Sequence, residues 1–263
     1  MKNPVIPSFL ALVAFAMTCV AQPLAVNCIQ RKNADWHDAT SWGTNMVPSD
    51  NNEMVIINGG TSAFVDQPFE APIRVQVGNG VSEPPDGTLT INADFRVKSL
   101  AVGVHTETSG RVEQNSGNVV VEELNLASVV PEVVIATYDL NGGKVEADTF
   151  KAGIAGPAIF NLQGAGEVVT IGNRLTIGSR STLRFVGGSS GFPMVNASAA
   201  DITVEAGATL TVEVTGDGMR PGKFTLIQAD QPLAAKFKVE LVGVAAGKAS
   251  LLESEPGVVL EVK

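Results

Sequence analysis

The chain has 263 residues, enough to bury a sizeable core in one large domain or two small ones. With 44% hydrophobic and 17% charged residues it is not a disordered sequence. A formal charge of −9 argues against an extended phosphate-binding surface, so nucleic acid is not an expected partner. Two His and two Cys leave little material for a zinc or thiol active site, and 27 Gly describe a turn-rich chain.

Residues 1–21 read as an export signal. Lys2 supplies the positive first region, Phe9 to Ala16 (FLALVAFA) the apolar one, and Cys19-Val20-Ala21 an A-x-A-like cleavage site ending at Ala21. The apolar run is too short for a membrane span, and Ala16-Met17-Thr18 before Cys19 departs from a lipoprotein signal. Cleavage removes Lys2 and no acid, taking the charge from −9 to −10 over the remaining 242 residues. It also leaves Cys28 without an intramolecular partner, expected as a partly buried thiol. No later apolar stretch approaches the roughly 18 residues of a span, so the mature chain has no expected transmembrane segment. The expected location is secreted or cell surface.

The middle of the chain repeats. With φ for an apolar residue, the pattern φ-x-φ-x-x-φ-x-φ occurs at Phe95, Val97, Leu100, Val102, at Val119, Val121, Leu124, Leu126, and at Val145, Ala147, Phe150, Ala152. A less regular copy ends at Leu175 and Ile177, and the last position of each copy steps by 24, 26 and 25 residues. A shorter pattern precedes each copy, at Leu89/Ile91, Val112/Gln114, Tyr138/Leu140, Phe160/Leu162 and Leu183/Phe185, stepping by 23, 26, 22 and 23. Period-two alternation predicts strands with one buried face. Turn signals separate them: Asn115-Ser116-Gly117-Asn118, Asn141-Gly142-Gly143, Gly164-Ala165-Gly166 and Gly187-Gly188. A β-sandwich also uses short alternating strands, but it does not predict a two-strand motif recurring near 25 residues. The sequence therefore predicts an all-β parallel β-helix (β-solenoid), whose coils bury their inward residues only by stacking. Leu100, Leu124, Phe150 and Leu175 should form one interior column, and Val102, Leu126, Ala152 and Ile177 another.

The ends depart from the repeat, as open edges must be covered. The expected organisation is a leader and N-terminal cap over 22–53, coils over 54–214 and a C-terminal β cap over 215–263. Trp36 and Trp42 flank His37-Asp38 and precede Pro48-Ser49-Asp50-Asn51; they are expected to plug the first coil, with sugar stacking as the competing role. Lys223-Phe224-Thr225-Leu226-Ile227, Lys236-Phe237-Lys238-Val239 and Val258-Val259-Leu260-Glu261-Val262 read as closing strands.

The Trp-x5-Trp, Pro-x-Asp and apolar-strand opening resembles the start of exported bacterial β-helix proteins. The Gly-punctuated coils are similar to the autotransporter-associated strand repeats of passenger domains, as is the ending Gly222-Lys-Phe-Thr-Leu-Ile227 with Phe237 and a last apolar strand. The resemblance spans roughly residues 34 to 263 and implies a right-handed parallel β-helix outside the cell, with adhesion-like or glycan-associated roles. The translocator barrel of that family is not expected within this sequence, where 45 residues follow Gly218.

Stacked coils bring distant side chains into columns. The repeat places Lys98, Glu122, Asp148 and Asn173 in one and Ser99, Glu123, Thr149 and Arg174 in the next. Two acids flanked by Lys and Arg are what a calcium-dependent polysaccharide lyase would use, calcium neutralising a uronate while a basic side chain takes its C5 proton. The oxygen count falls short of calcium's usual six to eight, and a solvated charged face is the plainer reading. His37 and His105 are expected as surface residues. Gly187-Gly-Ser-Ser-Gly191 reads as a turn, and no Gly-x-Ser-x-Gly elbow, His-Glu-x-x-His helix or phosphate loop is present. Thr88-Leu-Thr90 and Thr209-Leu-Thr211 suggest a Thr-x-Thr ladder, but the equivalent pairs Arg111/Glu113, Thr137/Asp139 and Thr182/Arg184 make ice binding untenable. No catalytic, cofactor-binding or metal residue is assigned, and no cofactor is expected. The expected function is a secreted or surface-associated structural, adhesion-like module contacting glycans without catalysis, with extracellular polysaccharide or a surface protein as partner. The alternative is a carbohydrate-active enzyme, the calcium-dependent lyase.

Overall fold

The computed structural model describes residues 25–50, 53–58, 60–79, 86–131, 133–215, 220–243 and 248–263. The expected signal peptide, 1–21, lies outside the described residues. The chain is nearly all strand, 60% against 3% helical, and winds through about 8 turns of a parallel β-solenoid.

Successive strands alternate between two sheets. Sheet I begins with β1 (Ala25–Cys28), β3 (Glu53–Ile57), β5 (Phe69–Val77), β7 (Phe95–Val102) and β9 (Asn118–Leu126). It continues with β11 (Lys144–Ala152), β13 (Gly166–Ile177), the short pair β15 (Pro193–Asn196) and β16 (Asp201–Val204), and β18 (Gly222–Gln228). Sheet II holds β2 (Ala34–Asp35), β4 (Thr61–Val65), β6 (Gly87–Ile91), β8 (Ser109–Gln114) and β10 (Ile135–Leu140). Above them lie β12 (Ala158–Gln163), β14 (Ser181–Gly187), β17 (Thr209–Val214) and β19 (Lys238–Val242). The parallel ladder already includes β1, paired with β3, and runs on to β19, paired with β17. Two antiparallel strands end sheet I: β21 (Val258–Val262) pairs with β18, and β20 (Ala249–Leu252) pairs with β21. Among the described residues no helix is long and apolar enough to cross a membrane.

The interior columns follow the repeat. Leu100, Leu124, Phe150 and Leu175 are consecutive ladder partners, as are Val102, Leu126, Ala152 and Ile177. On sheet II, Leu89, Val112, Tyr138, Phe160 and Leu183 stack in the same way. Two adjacent outward residues in φ-x-φ-x-x-φ-x-φ mark where the long strands of sheet I reverse their alternation. At that point β13 carries one residue more than β11, so the register slips between Ala147/Ile171 and Thr149/Arg174. Gly172 and Asn173 both fall opposite Asp148, and a Cβ on Gly172 would lie 3.3 Å from the Asp148 carboxylate. Asn173 is therefore not the simple fourth member of the Lys98 column; Gly172 occupies the place beside Asp148.

The two sheets meet through large side chains. The Phe150 ring of sheet I lies 5.1 Å from Phe160 of sheet II, which packs edge-on against Tyr138 at 5.3 Å. Gln114, standing in an apolar column, is fully buried and fully used. Its amide donates to the Gly117 and Lys144 carbonyls, both at 2.9 Å, and its oxygen accepts from the Tyr138 hydroxyl at 2.7 Å. Burial pushes the Tyr138 phenol well above its usual range, because the anion would lose its hydration. Turns stack as tightly as strands: Asn92, Asn115, Asn141 and Gln163 each donate a side-chain amide to the residue one coil earlier, a ladder that starts at Asp66. The following Gly143 has φ 80°, and a Cβ there would come within 1.9 Å of the Gly117 carbonyl, so only glycine fits.

Trp36 and Trp42 close the first coils as a plug. They are 0% and 1% exposed, with the Trp42 indole donating to the Trp36 carbonyl at 2.9 Å. The Trp36 ring packs edge-on against Trp42 at 4.9 Å and against Phe69 and Phe95 at 5.2 Å. With no exposed face, neither tryptophan can stack on a sugar.

Candidate functional site

On the outer face of sheet I the first half of each long strand points two side chains outward. Glu70, Arg96, Val120, Glu146 and Thr170 are successive ladder partners from β5 to β13. Two residues further along each strand, Pro72, Lys98, Glu122, Asp148 and Gly172 form the neighbouring row. The small or absent side chains of Pro72, Val120 and Gly172 leave the surface depressed between long charged neighbours.

That surface is a shallow trough. A depression of about 380 Å³ is bordered by Glu70, Arg96, Lys98, Glu122 and Asp148. A second of about 370 Å³ shares Glu70, Arg96 and Val120 and adds Asp94, Asn118 and Glu146. A third of about 190 Å³ extends past Glu146 and Asp148 to Thr170 and Gly172. Acids outnumber bases along it, and Glu70 and Asp94 flank the two cations. Arg96 and Lys98, both on β7, make a positive spot; Glu122, Glu146 and Asp148, on β9 and β11, make a negative one. Arg96 reaches Glu70 at 3.7 Å with both side chains well exposed, a weak surface pair. The side chains of Lys98, Glu122, Glu146 and Asp148 have no hydrogen bond or ion pair among the described residues.

Sheet II presents the opposite situation. Arg111 pairs with Glu113 at 3.0 Å and Asp139 at 2.8 Å, and Asp139 also accepts from the Asn161 amide at 2.6 Å. Arg184 likewise pairs with Glu213. Its charges are spent on one another, and the mixed row Thr88, Arg111, Thr137, Ile159, Thr182, Thr209 is no Thr ladder.

The repeat register thus brought Lys98, Glu122 and Asp148 to one place, and Ser99, Glu123, Thr149 and Arg174 are ladder partners as expected. The Arg96/Glu146 row was missed, although it lies two residues earlier in the same repeat and was available from the same alternation. No three His, Cys, Asp or Glu side chains among the described residues are arranged to hold a metal ion. His105 is exposed in the loop after β7, but His37 is not a free surface residue. It is half-buried beside the Phe69 ring, with Nδ1 3.8 Å from the Asp35 carboxylate. Its position was hidden because the Trp plug, not a strand period, holds it. Cys28 is partly buried, which raises its thiol pKa and lowers its reactivity. Gly188 and Gly191 exchange backbone hydrogen bonds at 3.0 Å, so the Ser-containing segment between them is a tight turn. In comparisons with known proteins, no family model, no curated protein and no solved structure matches this chain.

Proposed function

We propose that this protein is an exported, non-catalytic β-solenoid module of the cell surface or extracellular space, adhesion-like in role, that contacts glycans through the outer face of sheet I. The observation that carries the reading is the trough in which, among the described residues, the side chains of Lys98, Glu122, Glu146 and Asp148 have no partner and Arg96 makes only a weak exposed pair with Glu70, while the charges of sheet II are neutralised internally. Unpaired, solvated charges held at fixed spacing on a stiff ladder can exchange water for a ligand without breaking protein contacts. Arg96 and Lys98 suit a carboxylate, and Glu122, Glu146 and Asp148 suit sugar hydroxyls, which donate to carboxylate oxygens. The resemblance of the coils to autotransporter-associated strand repeats supports display outside the cell. The net charge of −9 disfavours long polyanions except where Arg96 and Lys98 offset it.

The test is a screen of the protein against acidic and neutral polysaccharides, with and without calcium, reading retention and unsaturated-product absorbance together. Retention without product, lost in Arg96→Ala/Lys98→Ala and kept in the sheet II variant Arg184→Ala, supports the module. Product formation abolished by Glu122→Ala or Asp148→Ala replaces it with the lyase. No retention of any glycan refutes glycan contact.

A further inference from the structure

We infer that the open edge of β19 is a self-association surface, pairing antiparallel with β19 of a second copy about a twofold axis at Val239. Among the described residues β19 is the last strand of sheet II, with β17 its neighbour on one side and none on the other. Val239 and Leu241 continue the interior columns of Leu210 and Val212. Yet they are 38% and 37% exposed, where Leu210 and Val212 are 0%. The sheet II columns are therefore only partly covered at β19, in contrast to the first coils, which the tryptophan plug seals.

The backbone presents a matching edge. The Lys238 N–H donates to the Ala208 carbonyl at 2.8 Å, so the peptide groups of Lys238 and Glu240 face β17. By strand alternation those of Val239 and Leu241 face outward and need partners. Edges of this kind are ordinarily guarded by charged side chains, by proline or by a bulge. β19 has no proline, and its outward charges are self-complementary instead.

Self-complementarity is what selects a second copy as the occupant. Lys238 and Glu240 lie on one face, Nζ to carboxylate 3.0 Å, with side chains 71% and 47% exposed. An antiparallel twofold at Val239 sets Val239 opposite its counterpart as a doubly hydrogen-bonded pair. Lys238 then faces the partner's Glu240 on both sides of the axis, in the closer-spaced non-hydrogen-bonded position. Phe237 falls opposite the partner's Leu241 on the apolar face. Moving the axis to Glu240 would oppose two carboxylates, which is unfavourable. The contact is isologous, so it closes at a dimer rather than growing into a filament.

Sedimentation equilibrium of the full chain over a wide concentration range tests this, with urea midpoints confirming that each variant is folded. The wild type should move from monomer to dimer mass as concentration rises. Lys238→Glu and Glu240→Lys should each be monomeric at every concentration, since each puts like charges opposite one another. An equimolar mixture of the two should regain the dimer mass, as should the double exchange Lys238→Glu/Glu240→Lys. A wild type that stays monomeric, a dimer untouched by either reversal, or a mixture that remains monomeric overturns the pairing.

Discussion

Replacing Tyr138 with Phe removes one oxygen from the interior and nothing else. The ring is fully buried between the sheets and packs on Phe160 at 5.3 Å, contacts that Phe keeps. What is lost is the 2.7 Å hydrogen bond to the Gln114 side-chain oxygen, leaving a buried acceptor without its donor. Such an orphan costs about 1–3 kcal/mol. Gln114→Leu should cost more, because it strands the Tyr138 hydroxyl and withdraws donors from the Gly117 and Lys144 carbonyls. Gly117 is partly protected, since its carbonyl also accepts from the Lys144 N–H at 3.1 Å. Once Gln114 is gone, removing the hydroxyl relieves an orphaned donor. The double variant should therefore lose less than the two singles together, by roughly 0.5–3 kcal/mol, the usual range for residues in direct contact. Urea unfolding with an unchanged slope reads all three differences. Strict additivity, or Tyr138→Phe as stable as wild type, would refute the claim that this pair is a satisfied buried network.

Three other outcomes follow from the same contacts. Tyr138 is the only tyrosine, and its folded pKa is raised, so the unfolded state ionises first; stability present below about pH 10 should fall as pH rises further. Tyr138→Phe should abolish that alkaline loss, and tyrosinate absorbance in the wild type should appear only with unfolding. Gly143→Ala, whose Cβ would sit 1.9 Å from a backbone carbonyl, should cost roughly 3 kcal/mol or more. Gly166→Ala, with φ 79° but nothing within 4 Å, should cost only the left-handed penalty of about 1–2 kcal/mol, and equal urea midpoints for the two would contradict the turn packing. Leu124→Ala, fully buried between Leu100 and Phe150, should lose about 2–5 kcal/mol in the same assay, and a smaller loss would mean that the column can collapse around the gap.

The interior was legible in the sequence because one alternation fixes both which residues point inward and which coil each one meets. Leu100, Leu124, Phe150 and Leu175 could be aligned by counting alone, since a one-residue slip would turn the whole strand inside out. Gln114 was visible as a break in an apolar column, but its partner was not. Tyr138 lies 24 residues away, and nothing local says that its hydroxyl turns toward the amide. The trough was half legible: Lys98, Glu122 and Asp148 came from the register, while Arg96 and Glu146 were overlooked in the same strands. Gly172 could not be placed beside Asp148 because one extra residue in β13 shifts the count at the corner, where two consecutive side chains point outward.

The period of the sequence determined that this chain stacks parallel coils and which residues fill them, because burial of alternate side chains is a local demand repeated at each turn. Which charges neutralise one another was decided by tertiary structure. Arg111 could have answered Glu113 alone, yet Asp139 on the next coil lies within 2.8 Å and is shielded from water, so the sheet II face closes on itself. Lys98 and Asp148 stand two coils apart with Glu122 between them, and their charges stay open to solvent. The bare edge of β19 was equally beyond the sequence. Its residues alternate like those of any interior strand, and only the absence of a neighbour beyond it among the described residues exposes Val239 and Leu241.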